Sequence, residues 1–134
     1  MGAEITYDYA LIRVVPRVER GERINVGVIL SAVDGDFLDG RFEIDSGRLM
    51  ALDPACDIDT VAASIASMAA VCAGGPGAGP LGMLSPRERF RWLVSPRSTV
   101  IQPSPVHTGR TRDLGAALEQ LFGTMVRAQP AGPR

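Results

Sequence analysis

The sequence predicts an α+β fold: a mostly antiparallel four-stranded sheet, a β-meander plus one later strand, packed against two main helices and a short third one. Three observations carry this. Between Tyr9 and Asp45, three runs rich in β-branched and aromatic residues follow one another, separated by turn signals. Their close succession makes a meander the simplest topology. Two later segments, 57–73 and 112–127, place apolar residues at the three-to-four spacing of amphipathic helices.

The first strand, near 8–16, alternates Tyr9, Leu11, Arg13 and Val15 with Ala10, Ile12 and Val14, and stops at Pro16. Arg17 to Arg23 (RVERGER) is a charged turn with Gly21 at its tip. The second strand, 24–32, turns Ile24, Val26, Val28 and Leu30 to one face and Asn25, Gly27 and Ile29 to the other. Gly27 has no side chain to pack and marks a bulge or a close backbone approach. Asp34-Gly35 is a hairpin signal leading into the third strand, 36–45, where Leu38, Phe42 and Ile44 are apolar.

Ser46 begins a short helical turn through Leu52. Asp57 or Asp59 then starts a helix to about Ala73 with the stripe Ile58, Val61, Ile65, Met68 and Cys72. The stretch 74–82 (GGPGAGPLG) is expected to be a flexible loop without regular structure. Ser85-Pro86-Arg87-Glu88 combines an N-cap, a proline at the first helical position and a capping box, which opens a helix over 85–95 that caps one end of the fold. Phe90, Leu93 and Val94 face its core, and Trp92 is half exposed. Residues 98–102 (STVIQ) form the fourth strand, and 103–109 is an extended, irregular segment. Thr111 caps the last helix, whose stripe is Leu114, Leu118, Leu121, Phe122 and Met125. Both main helices are expected on the sheet's apolar face, with residues 1–128 forming one domain and 129–134 a disordered tail.

At 134 residues the chain is long enough to bury roughly two-thirds of its unfolded surface. It is 46% hydrophobic and 22% charged, as globular domains are. The net charge of −1 supplies no general attraction to nucleic acid or anionic membrane, so neither is expected as a partner. All 14 basic residues are arginine, a choice that suits oxyanion recognition and equally follows from a GC-rich coding bias. Cys56 and Cys72 make neither a disulfide framework nor a metal site, and no cofactor is expected. The N-terminus has Glu4 and Asp8, no basic region and no long apolar run, so a cytoplasmic location is expected by elimination.

His107 is the only histidine. It suits a general base, or a phosphate ligand beside Arg110 and Arg112 at the start of the last helix. The competing reading, a loop histidine, is favoured by the lack of a nucleophile or second ligand spaced near it. Arg13, Arg17, Arg20 and Arg23 gather around the first turn, with Glu19 and Glu22 among them, as a solvated turn or a partner-binding rim. Arg13 stands mid-strand, where a buried face would demand a counter-charge. Arg87, Arg89 and Arg91 read as solvated helix charges.

Two segments together resemble a bacterial family, the domain of unknown function 3037. They are YDYALIRVVPRVERGERINVGVIL (7–30) and IQPSPVHTG (101–109), the latter followed by an amphipathic helix. The likeness runs from Tyr7 to Val126. The family has no established activity, so the resemblance transfers no catalytic roles. Its genes often lie beside those of HipA-like kinase proteins, which implies a small partner of such a kinase. The expected function is therefore a non-enzymatic interaction or regulatory module. The alternative is a nucleotide- or phosphometabolite-binding protein or enzyme. For that alternative, a polar groove is expected where 103–109 passes the first hairpin. Its candidate residues are Arg13, Arg17, Asn25, Gln102, Ser104, His107, Thr108 and Arg110.

Overall fold

The computed structural model describes residues 3–97 and 99–127. Ser98, the first residue of the expected fourth strand, and the expected tail at 129–134 lie outside the described residues. Five antiparallel strands form the sheet: β1 (Ile5–Val14), β2 (Ile24–Ala32), β3 (Phe37–Phe42), β4 (Ile101–Pro103) and β5 (His107–Thr111). The meander gives the order β3-β2-β1, and β4 and β5 share the other side of β1. The helices are α1 (Ser46–Leu52), α2 (Ile58–Ala73), α3 (Pro86–Leu93) and α4 (Leu114–Met125), with a 3₁₀ segment at Pro76–Met83. No single helix among the described residues is long and apolar enough to cross a membrane.

The expected irregular segment 103–109 is thus partly a strand. Ser104 is what permits it. Pro103 and Pro105 have no N–H to give to a ladder. Between them, Ser104 N donates to Leu11 O at 2.8 Å, and its buried Oγ accepts from Leu11 N at 2.8 Å. One residue so satisfies both backbone groups of Leu11 in the gap between β4 and β5.

The sheet is covered on both faces. On one, Ile12, Val14, Ile24, Val26 and Ile29 pack with α1, α2 and α3 through Leu49, Val61, Ile65, Met68, Phe90 and Leu93. On the other, Leu11, Val28 and Leu30 pack beneath Leu118, Phe122 and Val126 from the α4 end of the chain. The expectation that both main helices share one face is therefore wrong, and α3 lies over the sheet beside α2 rather than capping an end. The cause is a bulge in β2. Ile12 is opposite Gly27 while Arg13 is opposite Asn25, so Val26 is an extra residue. Ile24 and Val26 consequently face α2, and Val28 and Leu30 face α4, although simple alternation puts all four together. Gly27 also admits a close approach: a Cβ there would meet Phe42 Cε1 at 2.8 Å and Arg41 O at 3.3 Å.

The β2–β3 turn follows its Asp-Gly signal, with Gly35 at φ 83° and Asp36 at φ 53°. The capping box of α3 is present as expected: Ser85 Oγ accepts from Glu88 N, and the Glu88 carboxylate accepts from Ser85 N. Two other boundaries move. Residues 74–82 do hold structure, as 3₁₀ turns kinked at Gly79 with Gly82 buried. Thr111 ends β5 instead of capping the last helix; Asp113 is the cap, its Oδ1 accepting from Ala116 N at 3.0 Å.

Candidate functional site

Three of the expected groove residues form a row across the sheet. Arg13 is directly opposite Asn25 on β2 and Gln102 on β4, so all three share the α4 face. Asn25 Nδ2 donates to Met125 O at 3.0 Å and so ties down the end of α4. Gln102 Nε2 donates to Thr99 O at 2.8 Å. Arg13 Nε is buried and has no hydrogen-bond partner among the described residues. Burial, and then the neighbouring Arg23 charge, push the Arg13 guanidinium below its ordinary pKa.

The remaining candidates do not join this row. Arg17 is held in the turn, its Nε 2.8 Å from Glu19 Oε1. Ser104 is spent between β4 and β5, where its Oγ also donates to Pro105 O at 2.8 Å. His107 lies opposite Tyr9 in the middle of β1, four residues from Arg13, with the two rings 5.4 Å apart. Arg110 is exposed and lines a cleft of about 320 Å³ between β5 and α4, with Tyr7, Gln120 and Leu121. The expected pairing of His107 and Arg110 with a helix start fails because β5 occupies that stretch and α4 begins only at Leu114.

Thr108 belongs to a second cluster on the opposite face. Its Oγ1 donates to Asp8 Oδ1 at 2.8 Å. Arg87 Nη2 reaches Asp8 Oδ2 at 2.7 Å, and its Nη1 donates to Ser31 Oγ at 3.2 Å. The cluster joins β1, β2, β5 and α3. Burial pushes the Asp8 carboxyl up, but the Arg87 and Thr108 hydrogen bonds and the Arg87 charge outweigh it, so the net shift is downward. A carboxyl depressed on folding stabilises the fold above its unfolded pKa and stops doing so as pH falls through its folded value. Asp8→Asn is therefore expected to cost about 1 kcal/mol at neutral pH. The difference from the parent should vanish in acid, as chemical denaturation at a series of pH values would show. A gap that persists unchanged in acid would refute the assignment.

The arginines of α3 also depart from expectation. Arg91 is exposed, but Arg87 is half-buried and Arg89 is buried. Arg89 Nη1 donates to Val71 O at 2.6 Å and Cys72 O at 2.9 Å, and its Nε donates to Leu84 O at 3.1 Å. Helical spacing carried the signal, since Arg89 is four residues before Leu93 and next to Phe90. Burial pushes the Cys72 thiol up to about 12, which makes it a core residue rather than a nucleophile. No group of three or more potential metal ligands occurs among the described residues.

A family model described as "Protein of unknown function (DUF3037)" matches residues 9–126, most of the chain. No curated protein and no solved structure matches.

Proposed function

We propose that this chain, which belongs to the DUF3037 family, is a non-enzymatic module that docks a protein partner, the HipA-like kinase implied by the family resemblance. The observation that carries this reading is an uncovered apolar strip along the α3–β4 side of the fold. Trp92 is 41% exposed, with Val100 and Val106 also open to solvent. Two clefts run along this side. One is lined by Met68, Trp92, Arg97 and Ile101, and the other by Val94, Pro96, Pro103 and Val106. They share the 94–97 turn and strand β4, so they are successive parts of one surface. An exposed tryptophan lining a cleft is the kind of anchor that dominates binding at protein interfaces. Arg97 stacks over its ring at 4.7 Å and holds it in place through Nη2 to Trp92 O at 3.1 Å. The engagement of Ser104, Thr108 and Cys72 in holding the fold supports binding over catalysis. The proposal includes a bacterial source, which the resemblance implies, and a cytoplasmic setting.

Tagged protein recovered under mild conditions from its native host is expected to bring the kinase with it. Trp92→Ala is expected to lose it while unfolding at the same temperature as the parent. Recovery of no kinase, or equal recovery by the variant, would refute the proposal.

A further inference from the structure

We infer that the free edge of β5 pairs with β5 of a second copy of this chain, antiparallel about a twofold axis at Gly109. Among the described residues the sheet is open along β3, β4 and β5, and the first two are guarded. In an antiparallel strand, successive residues turn N–H and C=O alternately toward one side and the other. On β3 the central outward residue is Gly40. Its N–H donates to Asp39 Oδ1 at 2.8 Å, and its C=O accepts from Arg41 Nη1 at 2.9 Å. On β4, Ile101 O accepts from Thr99 Oγ1 at 2.9 Å, and Pro103 has no N–H to offer. Devices of this kind keep sheet edges from pairing.

Strand β5 has neither device. Ser104 N donates to Leu11 O, so Leu11, Tyr9 and Tyr7 turn their backbone groups to this side of β1. Their partners His107 and Gly109 therefore face inward, and Thr108 and Arg110 face outward. The N–H and C=O groups of Thr108 and Arg110 have no partner among the described residues.

Self-complementarity identifies the occupant. With Gly109 opposite its counterpart on the axis, Thr108 of each copy lies opposite Arg110 of the other, and the outward groups of one edge meet those of its twin. No like charges then stand directly opposite one another. Arg110 is exposed and has no salt bridge among the described residues. In this register it shares a face with Asp8 of the second copy, two strand spacings or roughly 9.5 Å away between backbones. The Asp8 carboxylate already leans over Thr108 through their 2.8 Å hydrogen bond, which brings it within reach of the guanidinium. On the α4 face, Tyr7 lies so close over Gly109 that a Cβ there would come within 2.6 Å of Tyr7 Cζ. Pairing at Gly109 brings the two Tyr7 rings together above the axis. The contact at 107–111 uses no residue of the Trp92 strip and stands independently of the kinase proposal.

Sedimentation equilibrium of the full chain over a range of concentrations tests it, together with amide hydrogen exchange followed by NMR. A monomer–dimer equilibrium is expected. The Thr108 and Arg110 amides should exchange more slowly as the dimer fills, and the Gly40 amide should not change. Arg110→Pro removes an outward N–H that no ladder bond uses, so the monomer should keep its fold while the dimer dissociation constant rises about tenfold or more. Arg110→Glu sets a carboxylate against Asp8 and should have the same effect. The exchange measurement needs no variant and decides the matter should Arg110→Pro unfold. A chain that stays monomeric throughout, or a dimer that survives both variants, would overturn the inference. So would slow exchange of the two amides already in the dilute monomer, because the chain itself would then cover this edge.

Discussion

Replacing Arg89 by Met is expected to lower stability by about 3 kcal/mol, because it strips three carbonyls of the side-chain donor they have among the described residues. Val71 and Cys72 lie in the last turn of α2, where the final carbonyls have no intrahelical partner. The Arg89 guanidinium takes that place and brings a positive charge to the negative end of the helix. Hydrogen bonds from a charged donor are each worth about 1.5–3 kcal/mol, and water reaching the vacated carbonyls recovers part of the sum. Methionine keeps most of the length, so little of the loss would come from a cavity. Gly74 belongs to the same device: a Cβ there would come within 2.8 Å of the guanidinium carbon, so the C-cap must be bare for Arg89 to enter. In urea, the midpoint should fall with little change in slope. Arg89→Lys should lie between, since one ammonium cannot reproduce a fork that spans Leu84 and the end of α2. A loss below about 1 kcal/mol for Arg89→Met would mean that water serves those carbonyls equally well.

The meander, helices α2 and α3 and the capping box were all legible in the sequence, because each rests on local information: alternation, a turn dipeptide, a three-residue capping pattern. The errors share one physical origin, the placement of a single residue against distant chain. The extra residue Val26 reverses which face the start of β2 presents, and with it the side on which α4 packs. Ser104 and its flanking prolines read as irregular chain until Leu11 is set opposite them. The glycines at 74–82 suggest a linker, yet Gly82 is buried where a Cβ would strike the Gly75 backbone. The candidate groove residues divide into two groups. Arg13, Asn25 and Gln102 do share one row, whereas Ser104 and Thr108 proved to be polar residues the fold consumes. No local pattern distinguishes a polar side chain that binds its own backbone from one left open to a ligand.

Leu118→Ala is expected to cost about 4 kcal/mol, in the upper half of the range for a buried leucine. Leu118 is fully buried, and among the described residues α4 is the only helix over its side of the sheet. The cost of such a truncation depends on how far the surroundings can collapse into the space. Below it, Leu11, Val28 and Leu30 sit on paired strands, and β-branched Val28 has little rotamer freedom. Collapse would therefore require α4 to tilt. Both ends of the helix resist: Asp113 caps the first turn, Asn25 holds Met125 O, and Arg127 reaches Glu43 at 3.4 Å. The cavity should accordingly persist, with its full penalty. This reasoning has a second consequence. Asn25→Ala releases the last turn of α4, so the double variant should lose less than the two single losses combined, the helix being free to close over the gap. Equilibrium denaturation of the four proteins in the cycle measures that coupling. Strict additivity, or a Leu118→Ala loss below about 2 kcal/mol, would show instead that α4 already adjusts freely on the sheet.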